Sequence, residues 1–445
     1  MLRPIRLLLA TGIVLAVGWW LFADTVRHYC PLPADPSTIR FAHFGSYQDY
    51  QIWGEVIAAF ERRHPELTVR QEYVVGMYGA YNTKLRQQML SQTLPHVFLI
   101  QFSPFAHLAE GFADLTGRVA DPVEGLDLSG FAPTAVGSFT HQGRLRALPV
   151  SGGNLLIYCN PDCFARAAAH RGREVPLPDD NWTIADFREL AEDLTCDFDG
   201  DGQLDQFGFW QPRWVYYLPF LWSFGAEVLD ESGSRWRLVG PEAENALRFY
   251  QELRVGQRVS PRPDEVAQMF QDVGFLTGKT AMCVNGPWFQ PFLAETRLGD
   301  RFHVAHIPTG PAGRVTRVTW DGICIAANLP SVQEDNAWKF ARFVCSEQAQ
   351  RILAGTRRAL PTCSAALSSF TAADGGRRTE KFVAALAYSR TQPVTPFFRQ
   401  MDYAINRHLR SLLREEDAVS PVQCLAQLAA DRDITEHFLV PGAEP

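Results

Sequence analysis

The chain has 445 residues, 46 % of them hydrophobic and 20 % charged, which are the proportions of a folded globular protein and exclude disorder, collagen and a polytopic membrane protein. Its 42 basic and 49 acidic residues leave a net charge of −7 without any Lys/Arg run, so nucleic-acid binding has no electrostatic support. At about 150 residues per domain the length suggests roughly three domains or one large two-lobed body, and the unusual feature is an aromatic share of 12 %, which serves either packing or stacking on a ligand.

In chain order, Arg3 and Arg6 precede an apolar run from Leu7 to Phe22. That run is just short of the ~20 residues that span a bilayer and longer than the usual ~7–15-residue core of a cleaved signal. Small residues are scarce at the cleavage positions, and Trp19-Trp20 suits a membrane interface, so an N-terminal hydrophobic helix kept as an anchor is favoured over a cleaved signal in residues 1–30. The positive-inside rule then places the rest of the chain outside the cytoplasm. Pro31 to Pro36 reads as a stiff tether over 31–37.

Ile39–Phe44 alternates as a strand, and Gly45-Ser46 breaks it. Ile52, Trp53, Val56, Ile57 and Phe60 then carry the three-to-four spacing of an amphipathic helix over 50–64, which Pro65 ends. A strand from Leu67, a helix over 81–92 and the apolar strand His96–Ile100 follow, an alternation that predicts a parallel sheet covered on both faces. Leu145–Val150, Ser151-Gly152-Gly153 and Asn154–Tyr158 read as strand, glycine hinge, strand. Helices are expected at 186–194, 216–224, 242–254, 335–344, 347–354 and 402–414, and strands at 281–284, 302–305 and 319–327. Nine cysteines, an odd number, lack zinc or thioredoxin spacing. Cys159 and Cys163 are close enough in sequence to pair, whereas most of the others sit in apolar strands and read as small buried hydrophobes.

Several motifs carry a resemblance. They include Ile52-Trp53 with Phe60-Glu61 and His64-Pro65, Leu148-Pro149-Val150 leading to Leu156-Ile157-Tyr158, and Asn181-Trp182-Thr183 with Asp186-Phe187. Later come Asp199-Gly200-Asp201-Gly202 with Phe207-Gly208, Asn285-Gly286-Pro287-Trp288, and Ala337-Trp338-Lys339-Phe340 with Ser346-Glu347. In this order they resemble the sugar-binding members of the family 1 extracellular solute-binding proteins, the maltose-binding-protein-like receptors of ABC importers. The resemblance implies an α/β, two-lobed periplasmic-binding-protein fold of type II. One lobe would take 38–148 and 316–368, the other 149–315 and 369–440, with Gly152-Gly153 at a crossing where hinge residues absorb φ/ψ change.

It also implies a carbohydrate ligand, ABC permease subunits as partners and no required cofactor. A sugar site needs aromatic rings for C–H faces and planar side chains for hydroxyls. Residues at strand ends facing the cleft are the candidates: Phe44, Gln101, Asn154, Trp222, Trp320, Asp321 and Trp288, the last at a position where family members often place a stacking aromatic. Arg358 lies in a loop that the family directs toward the cleft, although a solvated arginine is the plainer reading. Trp53, Phe60, Trp182 and Trp338 occupy helix positions suited to packing.

Asp197, Asp199, Asp201, Gln203 and Asp205 match the first nine positions of an EF-hand calcium loop, but Gly208 stands where the bidentate glutamate belongs. A structural calcium and a self-capped acidic turn are both open. A membrane-anchored sensor that binds sugar without transport is the alternative function. An extracellular glycosidase would need two carboxylates ~5–10 Å apart across one cleft, and the acidic residues outside this loop are scattered.

Overall fold

The computed structural model describes residues 35–441 apart from 76–77, 263–264, 266–269, 393–394 and 415–416; the expected N-terminal anchor, most of the tether and Cys30 lie outside the described residues. Among the described residues no helix is long and apolar enough to cross a membrane.

The chain enters as β1 (Thr38–Gly45), and Ser46 caps α1 (Tyr47–Arg63): its hydroxyl accepts from the Asp49 amide, while the Asp49 carboxylate accepts from the Ser46 amide. One face of α1 buries Trp53, Val56, Ile57 and Phe60 on the sheet, with Trp53 edge-on to Phe41 at 5.0 Å. β2 (Thr68–Val75), α2 (Tyr78–Leu90) and β3 (Val97–Gln101) follow, and β2 and β3 flank β1 in parallel. The parallel sheet expected of these three strands is present. β4 (Leu148–Asn154) and, much later, β9 (Thr316–Ile325) extend it, and β9 runs antiparallel to both β3 and β4, because strands that leave for the second lobe and return from it run in opposite directions. The sheet order is β10–β4–β9–β3–β1–β2, with β10 at Leu360–Pro361, and β11 (Ser389–Thr391) pairs with β9.

The second sheet has the order β8–β5–β7–β6, formed by β5 (Leu156–Cys159), β6 (Phe207–Trp210), β7 (Thr280–Asn285) and β8 (His303–Ala305). Around it pack α3 (Trp214–Ser223), α4 (Gly240–Gln251) and α7 (Phe398–Leu412); α5 (Ser331–Val344) and α6 (Glu347–Gly355) belong to the first sheet's side. Two large cores result, one with Phe41, Phe60, Phe98 and Trp338, the other with Trp182, Phe187, Tyr217 and Trp236. A smaller aromatic cluster of Tyr158, Phe275, Phe289 and Phe382 lies between segments of both.

The glycine pair lies near the end of a crossing strand and lets other side chains approach it closely. β4 runs unbroken through Gly152 and Gly153 and ends at Asn154, so the chain passes between sheets at Leu155. A Cβ on Gly152 would stand 2.2 Å from the Trp320 ring, and one on Gly153 would stand 2.7 Å from Pro287. These glycines permit that close approach. Cys159 and Cys163 are both buried free thiols, as are the other described cysteines except the half-buried Cys363, so the pairing does not form; Cys163 instead points at the Gly278 carbonyl, 3.6 Å away.

Candidate functional site

A cavity of about 750 Å³ opens between the two sheets, at the carboxyl ends of β1 and β3 and beside the β4 and β9 crossing strands. Crevices at strand ends of open α/β sheets are where this architecture can place ligands, because side chains from several strands converge there. Its floor is a row across three neighbouring strands: Asp321 of β9 stands opposite Gln101 of β3 and Ser151 of β4. A bulge between Asp321 and Gly322 breaks the β4–β9 register at this point and turns the row toward the cavity. Phe44, at the end of β1, packs at 5.1 Å on Tyr81, whose hydroxyl donates to the Ala42 and Leu99 carbonyls at 3.1 and 2.8 Å.

Asp49 holds two jobs. One carboxylate oxygen caps α1 through Ser46, and the other pairs with Nε of Arg358, so the loop before β10 is fastened to the start of α1. Asp321 is half-buried and lines the cavity. Burial pushes its carboxyl up to about 7 against the opposing pull of Arg358, with Asp49 adding to the rise and a hydrogen bond from Ser151 lowering it.

The opposite wall comes from the second lobe and the crossing strand. Asn285-Gly286-Pro287 folds back so that the Trp288 ring lies over Gly286, where a Cβ would stand 2.3 Å from the indole, and against Gly153. Tyr158 locks this turn by donating to the Gly286 carbonyl at 2.7 Å. Trp288 is half-buried, with ring surface left on the cavity. Arg213 and Tyr216 at the start of α3 and Arg317 of β9 line the same side. Burial raises the Tyr216 phenol above its ordinary value. Asp402 of α7 lines the cavity too, its carboxylate accepting from Trp214 Nε1 at 2.6 Å and from Asn406 at 3.0 Å.

Of the eight candidates read from sequence, Phe44, Gln101, Trp288, Asp321 and Arg358 meet on this cavity. The other three sit elsewhere. Trp222 is 2 % exposed inside the second core, with the Arg390 guanidinium 5.0 Å over its ring. Trp320 is buried beneath Gly152 in the first core. Asn154 is fully buried and donates to the Phe382 carbonyl at 2.8 Å and to Ser389 at 3.3 Å, pinning the crossing to the C-terminal segment. Sequence reasoning passed over Arg213, Tyr216, Arg317 and Asp402. Arg317 alone left a signal, a charge inside the apolar strand Thr316-Arg317-Val318-Thr319-Trp320.

In the acidic loop, Asp197, Asp199 and Asp205 offer oxygens within 4.8 Å of one another. Asp201 is not in that group; its carboxylate accepts from the Gln203 amide at 2.7 Å. The carboxylates also accept from the loop's own amides: Asp197 from Gly200 and Gly202 at 2.7 and 2.9 Å, Asp205 from Phe198 at 2.7 Å.

The profile of the family described as bacterial extracellular solute-binding protein matches residues 45–351. A candidate binding protein of Brucella abortus (strain 2308) is 26 % identical over 301 residues, 65 % of this chain and 67 % of that protein. An ABC substrate-binding protein of Listeria monocytogenes, solved in complex with cycloalternan, superposes with a TM-score of 0.78 at 22 % identity, over 90 % of this chain and 99 % of that one. Maltose-bound MalE3 of T. maritima gives 0.73 at 20 % identity, over 88 % and 98 %. These likenesses establish the two-lobed fold.

Proposed function

This chain belongs to the bacterial extracellular solute-binding protein family, and we propose that it captures a carbohydrate between its lobes and delivers it to the permease of an ABC importer. The observation that carries this reading is the pairing, on one interlobe cavity, of a Trp288 ring held out by Gly153 and Gly286 with the hydrogen-bonding row Ser151, Asp321 and Gln101. An indole face suits the C–H surface of a sugar, and the planar amide and carboxyl groups suit its hydroxyls. The maltose and cycloalternan bound by the two structural relatives support the same class of solute.

Capture by closure needs contacts that form between lobes, and three are in place: Gln48 donates to Glu295, Gln290 donates to the Arg357 carbonyl at 3.3 Å, and Arg357 pairs with Asp300 at 3.0 Å. A thermal-shift screen of mono- and oligosaccharides, followed by solution scattering on each hit, tests the reading. A stabilising saccharide should also compact the chain. If no saccharide does either, carbohydrate capture is wrong.

Binding without turnover is part of the proposal, and no cofactor enters it; oligosaccharide recovered unchanged after long incubation is the expected result. Residues 1–30 act in this reading as an export signal kept as a membrane anchor, which the mass of the exported protein checks. For the acidic loop, amide donors already hold the carboxylates, so chelation with EDTA should lower Tm by no more than ~1 °C; a fall of several degrees would show a structural calcium doing that work.

A further inference from the structure

Two arginines on one wall of the cavity have no ion-pair partner among the described residues. Arg317 is only 8 % exposed, and its Nε donates at 2.7 Å to Gln392 Oε1, a neutral acceptor. Among the described residues its terminal nitrogens have no hydrogen-bond partner and no carboxylate in ion-pair contact. Arg213, exposed at the start of α3, adds a second cation to the same wall and likewise lacks an ion pair among the described residues. Burial first, and then Arg213, lower the Arg317 guanidinium to about 10, with Tyr216 opposing; it stays charged at neutral pH.

None of the three carboxylates of the cavity is in ion-pair contact with Arg317 or Arg213. Asp49 pairs with Arg358, the Asp402 carboxylate accepts from the neutral Trp214 and Asn406, and Asp321 lies beside Ser151 in the floor, its carboxyl raised by burial. A buried charge normally has a counter-charge, since removing it from water is costly otherwise. Neutral sugar hydroxyls would satisfy the free N–H groups but leave the charge itself unanswered. An oxyanion answers both, and the planar guanidinium fork matches carboxylate, sulfate and phosphate oxygens two at a time.

We propose that the captured solute carries an anionic group that docks between Arg317 and Arg213, making the ligand an acidic or phosphorylated saccharide whose apolar face lies on Trp288. The proposal rests on the capture reading and narrows its substrate class.

The test is a titration of the full chain with glucose, maltose, glucuronate, glucose 6-phosphate and inorganic phosphate, read by tryptophan fluorescence and Tm at low and high salt. At least one anionic probe should bind about tenfold more tightly than glucose, and less tightly as salt rises. Glucuronate against glucose 6-phosphate tells carboxylate from phosphate. Arg317→Gln should erase the anion preference without lowering the Tm of the free protein, which an arginine kept for structure would not allow. Arg213→Gln, at an exposed position where folding is not at risk, should weaken anion binding several-fold. Equal affinity for glucose and every anionic probe, or an anion preference that survives Arg317→Gln, overturns the proposal. If maltose compacts the chain while no anion is preferred, only the anion assignment falls; if no saccharide of any charge compacts it, the capture reading falls as well.

Discussion

On the first-lobe side of the cavity the chain answers its own polar groups: Asp49 caps α1 and pairs with Arg358, and Asp321 shares a row with Gln101 and Ser151. On the opposite side Trp288 leaves ring surface on the cavity and Arg213 and Arg317 carry charge without carboxylate partners among the described residues. The first wall is therefore set before any solute arrives, and the second is completed by one. Preorganisation on one side and unsatisfied capacity on the other is an economical way to bind, because the first wall's groups are already oriented and need little reordering on closure.

Two tryptophans mark how sharply that division runs. Trp222 lies in the second core at 2 % exposure, so Trp222→Ala should cost about 3–5 kcal/mol of stability in denaturant unfolding, through the cavity it leaves, with affinity per folded molecule unchanged. Trp288→Ala should do the reverse: a smaller loss of stability and a loss of about 1–3 kcal/mol in solute binding, measured by calorimetry. Unaltered binding in that variant would move the site away from this wall. On the other side, Arg358→Gln strips the cation from an Asp49 carboxylate only 5 % exposed. The Ser46 cap remains, so the expected loss is about 1–3 kcal/mol of stability, and a variant as stable as the parent would show that the first wall does not depend on its ion pair.

The division between core and cleft was only partly legible in the sequence. Strand and helix periods located most of the long elements, because burial of one face imposes period 2 or 3.6 whatever the final topology, but not the helices Pro161–Arg171 and Pro421–Ala429 or the short strand Phe207–Trp210. Direction was not legible: β9 looks like any apolar strand, and nothing local says that it runs antiparallel to both β3 and β4. Strand-end position found Phe44, Gln101, Asp321 and Trp288, yet it also selected Trp222 and Trp320, since an aromatic at a strand or helix end faces the core or the cleft according to partners distant in the chain. The packing role of Gly152-Gly153 was hidden for a similar reason. A glycine required by a ring on another strand is written the same way as a glycine required by a hinge, and the Trp320 and Pro287 contacts exist only in three dimensions.

The smallest expected effect is also the most direct probe of the first wall. Asp321 has a folded-state value of about 7 against an ordinary 3.8, raised chiefly by burial. A carboxyl raised on folding holds its proton more tightly in the native state, so its contribution to stability is complete below about pH 4 and is lost as pH rises through about 7. His43 and His303, both lowered to about 4 by burial, act in the opposite sense over part of the same range, so the parent's own pH profile mixes the two. The difference between parent and Asp321→Asn separates them, because both histidines are common to the two proteins. Relative to the parent, the variant should gain about 1–2 kcal/mol between pH 4.5 and pH 8, after discounting for the solvent that reaches Asp321 through the cavity. Adding Arg358→Gln to each protein should enlarge that gain, since Arg358 is what holds the carboxyl down. A flat difference across this range would mean that Asp321 ionises freely, and the first wall would then carry an unanswered charge of its own, an anionic counterpart to Arg317 across the cavity.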